Sequence, residues 1–205
     1  MRTRRTVRRF TLQRPDRAVV EELIELAITA PSASNNQPWR FFVSDQASTI
    51  ERMAALVEAA VERVADGLDP GEVPGFRAYG DYFVRFREAP VVIVPAFRPL
   101  TLLSQMTTAT PEIERLELYS GLASTSLAVQ NLLLAAHAKG LGASCLTGPL
   151  LAAPQLEELL EIPPGWHMAM LIGLGYAAED PPPPPRKGTA TVLRWTDKQF
   201  PRGGP

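Results

Sequence analysis

The sequence predicts an α/β (α+β) fold, because segments with helical and with strand periodicity both recur along its 205 residues. Apolar residues recur every three or four positions between 16 and 30, which indicates an amphipathic helix. The continuous apolar run 91–94 is typical of a strand covered on both faces. The length and a hydrophobic content of 45% suit one domain with a sizeable core, which we place at 1–180.

Each element follows from its local sequence. Asp16 can cap the first helix and Pro31 ends it, after which residues 40–44 have a strand pattern. Four glycines and two prolines in 67–80 predict a loop, and the aromatic residues of 79–86 are more typical of a core than of a pocket. The remaining patterns predict helix 47–66, helix 80–88, strand 91–94, loop 98–116, helix 117–139, strand 143–146, helix 154–161 and strand 168–173.

The C-terminal part of the chain reads as an extension over 181–205. Five prolines, 181–185, force an extended segment of roughly 15 Å without internal hydrogen bonds. The apolar residues beyond it predict that the tail packs against protein; they are Val192, Leu193, Trp195 and Phe200. Helix 117–139 is apolar around much of its girth, so we expect it inside the domain or at a subunit interface.

Composition argues against several classes of protein. With 22 acidic and 21 basic residues the net charge is −1, so no global electrostatic case exists for nucleic-acid or membrane binding. No apolar run reaches ~18 residues, and the N-terminus lacks the apolar core of a signal peptide. Cys145 is the single cysteine, which excludes an intrachain disulfide. We therefore expect a cytoplasmic protein.

Two stretches near the N-terminus carry the chemistry. Arg4, Thr6 and Arg8 alternate, so in an extended segment they face one side and could bind a phosphate. On its own, a run in which six of the first fourteen residues are arginine would read as a solvated tail. Residues 31–39, Pro-Ser-Ala-Ser-Asn-Asn-Gln-Pro-Trp, place many polar groups between a helix and a strand, which suits either a planar polar ligand or a simple turn.

Together, Arg-Arg-Thr-Val-Arg-Arg-Phe at 4–10, a helix, and the 31–39 motif resemble the FMN-dependent nitroreductase family. Later segments agree with that family: Ser124 to Gly142, Ser144 to Gly148, Pro164 to Tyr176, and the basic pair Arg186-Lys187. The resemblance runs from about residue 4 to about 195 with a divergent middle. It implies a mixed, mainly antiparallel sheet flanked by helices, in an intertwined homodimer.

The resemblance also implies a site. The FMN phosphate and ring would be held by four arginines and the hydroxyl of one threonine near the two ends of the chain: Arg4, Arg5, Thr6, Arg8 and Arg186. The segment that reaches a flavin bound mainly by the other subunit would comprise Pro31, Ser32, Ala33, Asn35 and Gln37. The segment against the pyrimidine side of the flavin would comprise Cys145, Leu146, Thr147 and Gly148. Cys145 has no evident partner base, so no side chain is expected to act as a nucleophile.

The expected function is NAD(P)H-dependent reduction of electron-poor acceptors, such as nitroaromatics or quinones, through bound FMN by a ping-pong mechanism. The alternatives are a reductive dehalogenase, a flavin-cleaving enzyme, or a flavin-binding or storage protein without turnover. The 173–178 segment fits a relaxed dinucleotide fingerprint, but prolines follow it where a helix should begin. His137 and His167 lack metal-ligand spacing, so we expect no metal.

Overall fold

The structure is a computed structural model that describes residues 1–196. Phe200, one of the apolar tail residues, lies outside the described residues. The helices are α1 (Arg17–Ala27), α2 (Ala47–Ala65), α3 (Val73–Gly80), α4 (Pro111–Ala138), α5 (Ala153–Leu159) and α6 (Thr189–Val192). The strands are β1 (Trp39–Ser44), β2 (Val91–Phe97), β3 (Leu141–Leu146), β4 (His167–Met168) and β5 (Leu171–Tyr176).

The strands form one sheet in the order β1-β2-β5-β3, and β4 pairs with β2. All the ladders between these strands are antiparallel. The N-terminal segment adds a parallel bridge, Thr6 to Ala143, beside β3. The mixed, mainly antiparallel sheet predicted from the resemblance is therefore confirmed.

Helices cover both faces of the sheet. Alternate residues of β2 point to opposite faces, so Ile93 packs with α1 and α4 whereas Val92 packs with α2 and α5. Leu23 and Leu132 are fully buried on the first face, and Val57 and Leu156 are fully buried on the second. This three-layer arrangement explains why β2 is buried along its whole length and reads as a continuous apolar run.

The structure corrects the middle of the chain. Residues 67–80 are not all loop, because α3 begins at Val73. Pro74 stands in the first turn, where a missing N–H costs nothing, and Arg77 pairs with Glu62 of α2 at 2.6 Å. The predicted α-helix over 80–88 is wrong: turns follow Gly80, and Arg85–Glu88 is a 3₁₀ helix.

The predicted loop 98–116 is also too long, because α4 begins at Pro111 rather than at 117. Thr110 caps it by accepting a hydrogen bond from the N–H of Ile113, and Pro111 occupies the first turn. Helix α4 buries one face, which includes Ala128 and Leu132. Other apolar residues of α4 are exposed in the single chain: Leu116, Leu118, Tyr119 and Leu127.

The aromatic residues of 79–86 divide between core and surface. Phe86 is fully buried, whereas Tyr79 and Tyr82 are exposed. In the tail, Val192, Leu193 and Trp195 are exposed, so they do not pack on the described part of their own chain. No helix within residues 1–196 has both the length and the apolar character that crossing a bilayer requires.

Candidate functional site

The N-terminal segment is held at the edge of the sheet beside β3. The backbone N–H of Val7 donates to the carbonyl of Ala143 at 3.0 Å, next to the Thr6 bridge. Val7 is buried against Gly142, where any Cβ would lie 2.7 Å from the Val7 side chain. Because side chains alternate along an extended segment, Thr6 and Arg8 point to the side opposite Val7.

Thr6 and Arg8 line a small cavity, which we call the arginine cavity. Its volume is about 150 Å³, and its lining residues are Arg4, Arg5, Thr6, Arg8, Pro181, Pro182, Pro184 and Arg186. Within residues 1–196 the lining contains four guanidinium groups and no carboxylate, so the cavity is electropositive. Arg186 belongs to the lining and Lys187 does not, which the sequence left open.

Two ends of the chain meet here. The backbone N–H of Thr11 donates to the carbonyl of Tyr176 at 2.9 Å, and the backbone N–H of Ala178 donates to the carbonyl of Arg9 at 3.0 Å. The extended proline segment 181–185 then carries Arg186 back along the arginine cavity. Arg186 is thus brought to Arg4, Arg5, Thr6 and Arg8, from which it is distant in sequence, and all five are predicted site residues. That they bind phosphate stays a prediction.

The second predicted group lies where β3 ends. Cys145 and Leu146 are the last residues of β3, Thr147 precedes a 3₁₀ helix that begins at Gly148, and the Cys145 Sγ lies 3.1 Å from the Sδ of Met170. Desolvation raises the pKa of the Cys145 thiol, and the positive charge of Arg4 opposes that shift. Arg4 therefore acts electrostatically on the β3 segment as well as lining the arginine cavity.

Residues 31–37, the asparagine loop, form a strained turn. Ser34, Asn35 and Gln37 all adopt left-handed backbone conformations with φ near 50°. For non-glycine residues this conformation costs on the order of 1 kcal/mol or more each, and it is found mostly at functional loops. The loop is held by two serines: the N–H of Ala33 donates to Ser124 Oγ, and the N–H of Gln37 donates to Ser32 Oγ.

The asparagine loop and the arginine cavity lie at diagonally opposite corners of the sheet. Thr6 pairs with Ala143 of β3, and the register through β5 places Ala143 opposite Val91, at the start of β2. The asparagine loop leads into β1 at Trp39, which pairs with Phe97 at the other end of β2. This register separates them by about 20 Å along the strands and about 19 Å across four strand spacings. Within one chain, the structure does not bring Pro31, Ser32, Ala33, Asn35 and Gln37 to the other predicted site residues.

Several residues of the site gave no signal in the sequence. The carboxylate of Glu179 accepts hydrogen bonds from the backbone N–H groups of Arg8 and Arg9. His137 and Thr3 are hydrogen-bonded at 2.8 Å beside a second cavity of about 230 Å³ that also contacts Arg4 and Arg5. Such contacts depend on the tertiary fold and leave no periodic pattern. Among residues 1–196, no group of three or more His, Cys, Asp or Glu side chains is placed to bind a metal.

Comparison with known proteins decides the family. A model of the nitroreductase family matches residues 1–176, which is most of the chain. The chain belongs to the nitroreductase family. Nitroreductase relatives include an iodotyrosine deiodinase of Drosophila melanogaster, 32% identical over 180 residues, and an iodotyrosine dehalogenase 1 homolog of Caenorhabditis elegans, 30% identical over 184 residues. These alignments cover 86% and 88% of this chain but only 60% and 54% of the relatives.

Solved structures confirm the nitroreductase fold. A BluB-like flavoprotein of Clostridium difficile 630 superposes with a TM-score of 0.83 over 94% of each chain, at 22% identity. A nitroreductase with bound FMN from Desulfitobacterium hafniense DCB-2 superposes with a TM-score of 0.72, at 22% identity, over 96% of this chain and 95% of its own. At these identities the structures establish the fold of this family member and leave its reaction open.

Proposed function

We propose that this chain is an FMN-dependent oxidoreductase that uses NAD(P)H to reduce small, flat, electron-poor acceptors such as nitroaromatics and quinones. The observation that carries the proposal is the arginine cavity, which Arg4, Thr6, Arg8 and Arg186 line together and to which the described residues 1–196 contribute no carboxylate. Guanidinium groups bind phosphate by paired hydrogen bonds, and a hydroxyl can add a further one.

The residues present fit FMN. The arginine cavity would hold the phosphate, and the adjoining Cys145–Gly148 segment would lie along the ring, with backbone N–H groups to orient it. Bound FMN would supply the redox chemistry by accepting hydride from the nicotinamide and passing electrons to the acceptor. The arginines would stabilise negative charge on the reduced cofactor, and no side chain needs to act as a nucleophile.

A homodimer would complete this site. Asn35, whose amide both donates and accepts hydrogen bonds, lies at the opposite corner of the sheet and cannot reach the same ligand within one chain. The asparagine loop is exposed and strained, as expected for a segment that contacts a second subunit. Exposed Leu116, Tyr119 and Leu127 on α4 and exposed Trp195 in the tail supply apolar surface for such an interface. In this proposal the extension 181–205 packs on the dimer.

The dimer is tested by sedimentation of the flavin-loaded protein at micromolar concentration. A homodimer with two bound flavins is expected, and a flavin-loaded monomer would refute this part of the proposal. Truncation after Glu179 removes the proline segment, Arg186 and the apolar tail. The truncated protein should retain flavin less well and dissociate more readily than the full chain; if both properties keep their full value, the extension has no such role.

Ping-pong kinetics follow from a single open face. The nicotinamide and the acceptor are both planar and would stack at the same position, so one must leave before the other binds. Anaerobic mixing with NADH and with NADPH should bleach the flavin absorbance with at least one of them. Steady-state rates over a grid of NAD(P)H and quinone concentrations should then give parallel double-reciprocal lines. Intersecting lines would indicate a ternary complex and would contradict the shared face.

Reductive dehalogenation is the second candidate, because two relatives at 30% and 32% identity are an iodotyrosine dehalogenase homolog and an iodotyrosine deiodinase. Iodide release from 3-iodotyrosine by the chemically reduced protein distinguishes it from general acceptor reduction. If neither NAD(P)H nor dithionite supports turnover of any acceptor, the flavin-cleaving alternative and the flavin-binding or storage alternative both stand. The cytoplasmic location stays a prediction.

A further inference from the structure

Glu179 lies between the end of β5 and the proline segment, next to the arginine cavity but outside its lining. Its Oε1 accepts the backbone N–H of Arg8 at 2.6 Å and the backbone N–H of Arg9 at 3.1 Å. The residue is half-buried. Two successive backbone N–H groups share this one acceptor oxygen, so the contact fixes the backbone of Arg8 relative to Glu179.

The position of Glu179 in the chain gives the contact its significance. The bridge between Phe10 and Ala177 joins the N-terminal segment to the residues that follow β5. Beyond Glu179 the chain runs into prolines 181–185, which have no backbone N–H with which to extend this pairing. The two backbones stop pairing near Glu179, and there the Glu179 side chain accepts hydrogen bonds from the N-terminal segment in place of backbone carbonyls. Arg8 precedes that point and Arg186 follows the prolines, and both line the arginine cavity.

We propose that Glu179 is a positioning residue for phosphate binding, which rests on the proposed FMN function. It holds the backbone of Arg8 in register with the start of the proline segment, so that the guanidinium groups of Arg8 and Arg186 converge on one phosphate. Its own charge is compensated by two backbone N–H groups, which limits its repulsion of a phosphate bound next to it. The role requires a hydrogen-bond acceptor at this position and does not require a negative charge.

The test is the FMN dissociation constant, measured by flavin fluorescence on stripped protein. Glu179→Ala should weaken FMN binding about tenfold, because the backbone N–H groups of Arg8 and Arg9 lose their acceptor and Arg8 is no longer held in place. Glu179→Gln keeps the acceptor oxygen and should bind within about twofold of wild type. Glu157→Ala is the matched control, because Glu157 also accepts a backbone N–H, that of Met168 at 2.9 Å, far from the arginine cavity. It should leave FMN binding unchanged.

A second readout does not depend on the cofactor. Amide hydrogen exchange at Arg8 and Arg9 in flavin-free protein should accelerate in Glu179→Ala and stay slow in Glu179→Gln. If Glu179→Ala does not fold, the FMN affinity of Glu179→Gln is the test. A tenfold loss of affinity in that variant would show that the charge of Glu179 matters, which would contradict the proposed role as a hydrogen-bond acceptor. Unchanged FMN binding in a folded Glu179→Ala protein would overturn this inference alone. Failure of the wild-type protein to bind FMN would overturn the proposed function with it.

Discussion

The backbone N–H of Leu103 donates a 2.7 Å hydrogen bond to Oε1 of Glu117, a buried carboxylate on α4. The N–H of Ser104 donates to the same oxygen at 3.3 Å, and the N–H of Leu100 donates to the Glu117 carbonyl at 3.2 Å. One residue of α4 thus fastens the loop between β2 and α4. That loop lies within residues 67–116, where none of the short motifs that carry the family resemblance occurs, although the family model matches residues 1–176 as a whole.

This contact predicts a pH dependence of stability. Desolvation disfavours the charged form of Glu117, but hydrogen bonds from Ser104 and Leu103 outweigh it, so the pKa of Glu117 lies below its ordinary value. The stabilisation should therefore be complete above the ordinary glutamate pKa of 4.5, which applies to the unfolded chain, and be lost as the pH falls through the lower pKa of the folded state. Thermal unfolding between pH 3 and 7 should show a smaller acid loss in Glu117→Gln than in wild type. The exposed Glu114→Gln is the control and should follow wild type.

Position 148 should tolerate only glycine, because the ring of Phe83 occupies the space of a Cβ atom. A Cβ at this position would collide with the ring of Phe83, which also packs edge-to-face on Tyr79 with ring centroids 4.8 Å apart. Gly148→Ala should cost about 1–3 kcal/mol of unfolding free energy through overpacking. Gly75→Ala in α3 meets no atom within 4 Å and should be neutral or slightly stabilising. Equal denaturant midpoints for the two variants would contradict the packing described here.

Cys145 is exposed in the single chain, so alkylating agents can reach it, and the small thiolate fraction should make its reaction slow at neutral pH. Desolvation raises the pKa of its thiol, so little thiolate is present, and the opposing charge of Arg4 limits the effect. Arg4→Gln should raise the thiol pKa further and slow iodoacetamide labelling at a given pH. Faster labelling in that variant would mean that Arg4 does not act on Cys145. If the β3 segment contacts FMN, saturating FMN should also protect Cys145 in the wild-type protein.

Arg186 and Lys187 offer a matched pair for the C-terminal contact. Arg186 lines the arginine cavity and Lys187 does not, although the two residues are adjacent and both positively charged. Arg186→Gln should weaken FMN binding about tenfold or more through loss of a charge-assisted contact to phosphate. Lys187→Gln should change it less than about threefold, because it removes only long-range attraction. Equal losses in the two variants would mean that general positive charge, rather than a placed guanidinium, binds the phosphate.

Periodicity predicted the parts of the fold that bury one regular face. Helix α1, strand β1 and helix α2 lie within a few residues of their predicted bounds, because each presents apolar residues at its own spacing. Helix α3 was missed because its glycines and Pro74 are typical of a loop, and it is held by packing and by the Arg77 pair with Glu62. The start of α4 was missed because Thr110 and Pro111 act through capping rather than through an apolar pattern.

In the candidate site, too, some contacts could be predicted from the sequence and others could not. Alternation predicted that Thr6 and Arg8 share a face, and the resemblance to the nitroreductase family implied the return of Arg186. The contribution of Glu179 could not be predicted, because a side-chain hydrogen bond between residues 171 positions apart leaves no local pattern. The separation of the asparagine loop from the arginine cavity is a property of strand order, which the sequence of one chain does not encode in any short motif.

Charge reversal at Arg8 tests the central claim most directly. Arg8 lines the arginine cavity, and glutamate there would place a negative charge against the phosphate. We predict that purified wild-type protein carries non-covalent FMN and that Arg8→Glu, compared with it for bound flavin and for the FMN dissociation constant, loses at least about a hundredfold in affinity. Flavin content and affinity equal to those of wild type in the folded Arg8→Glu protein would contradict the assignment of this cavity as the phosphate site.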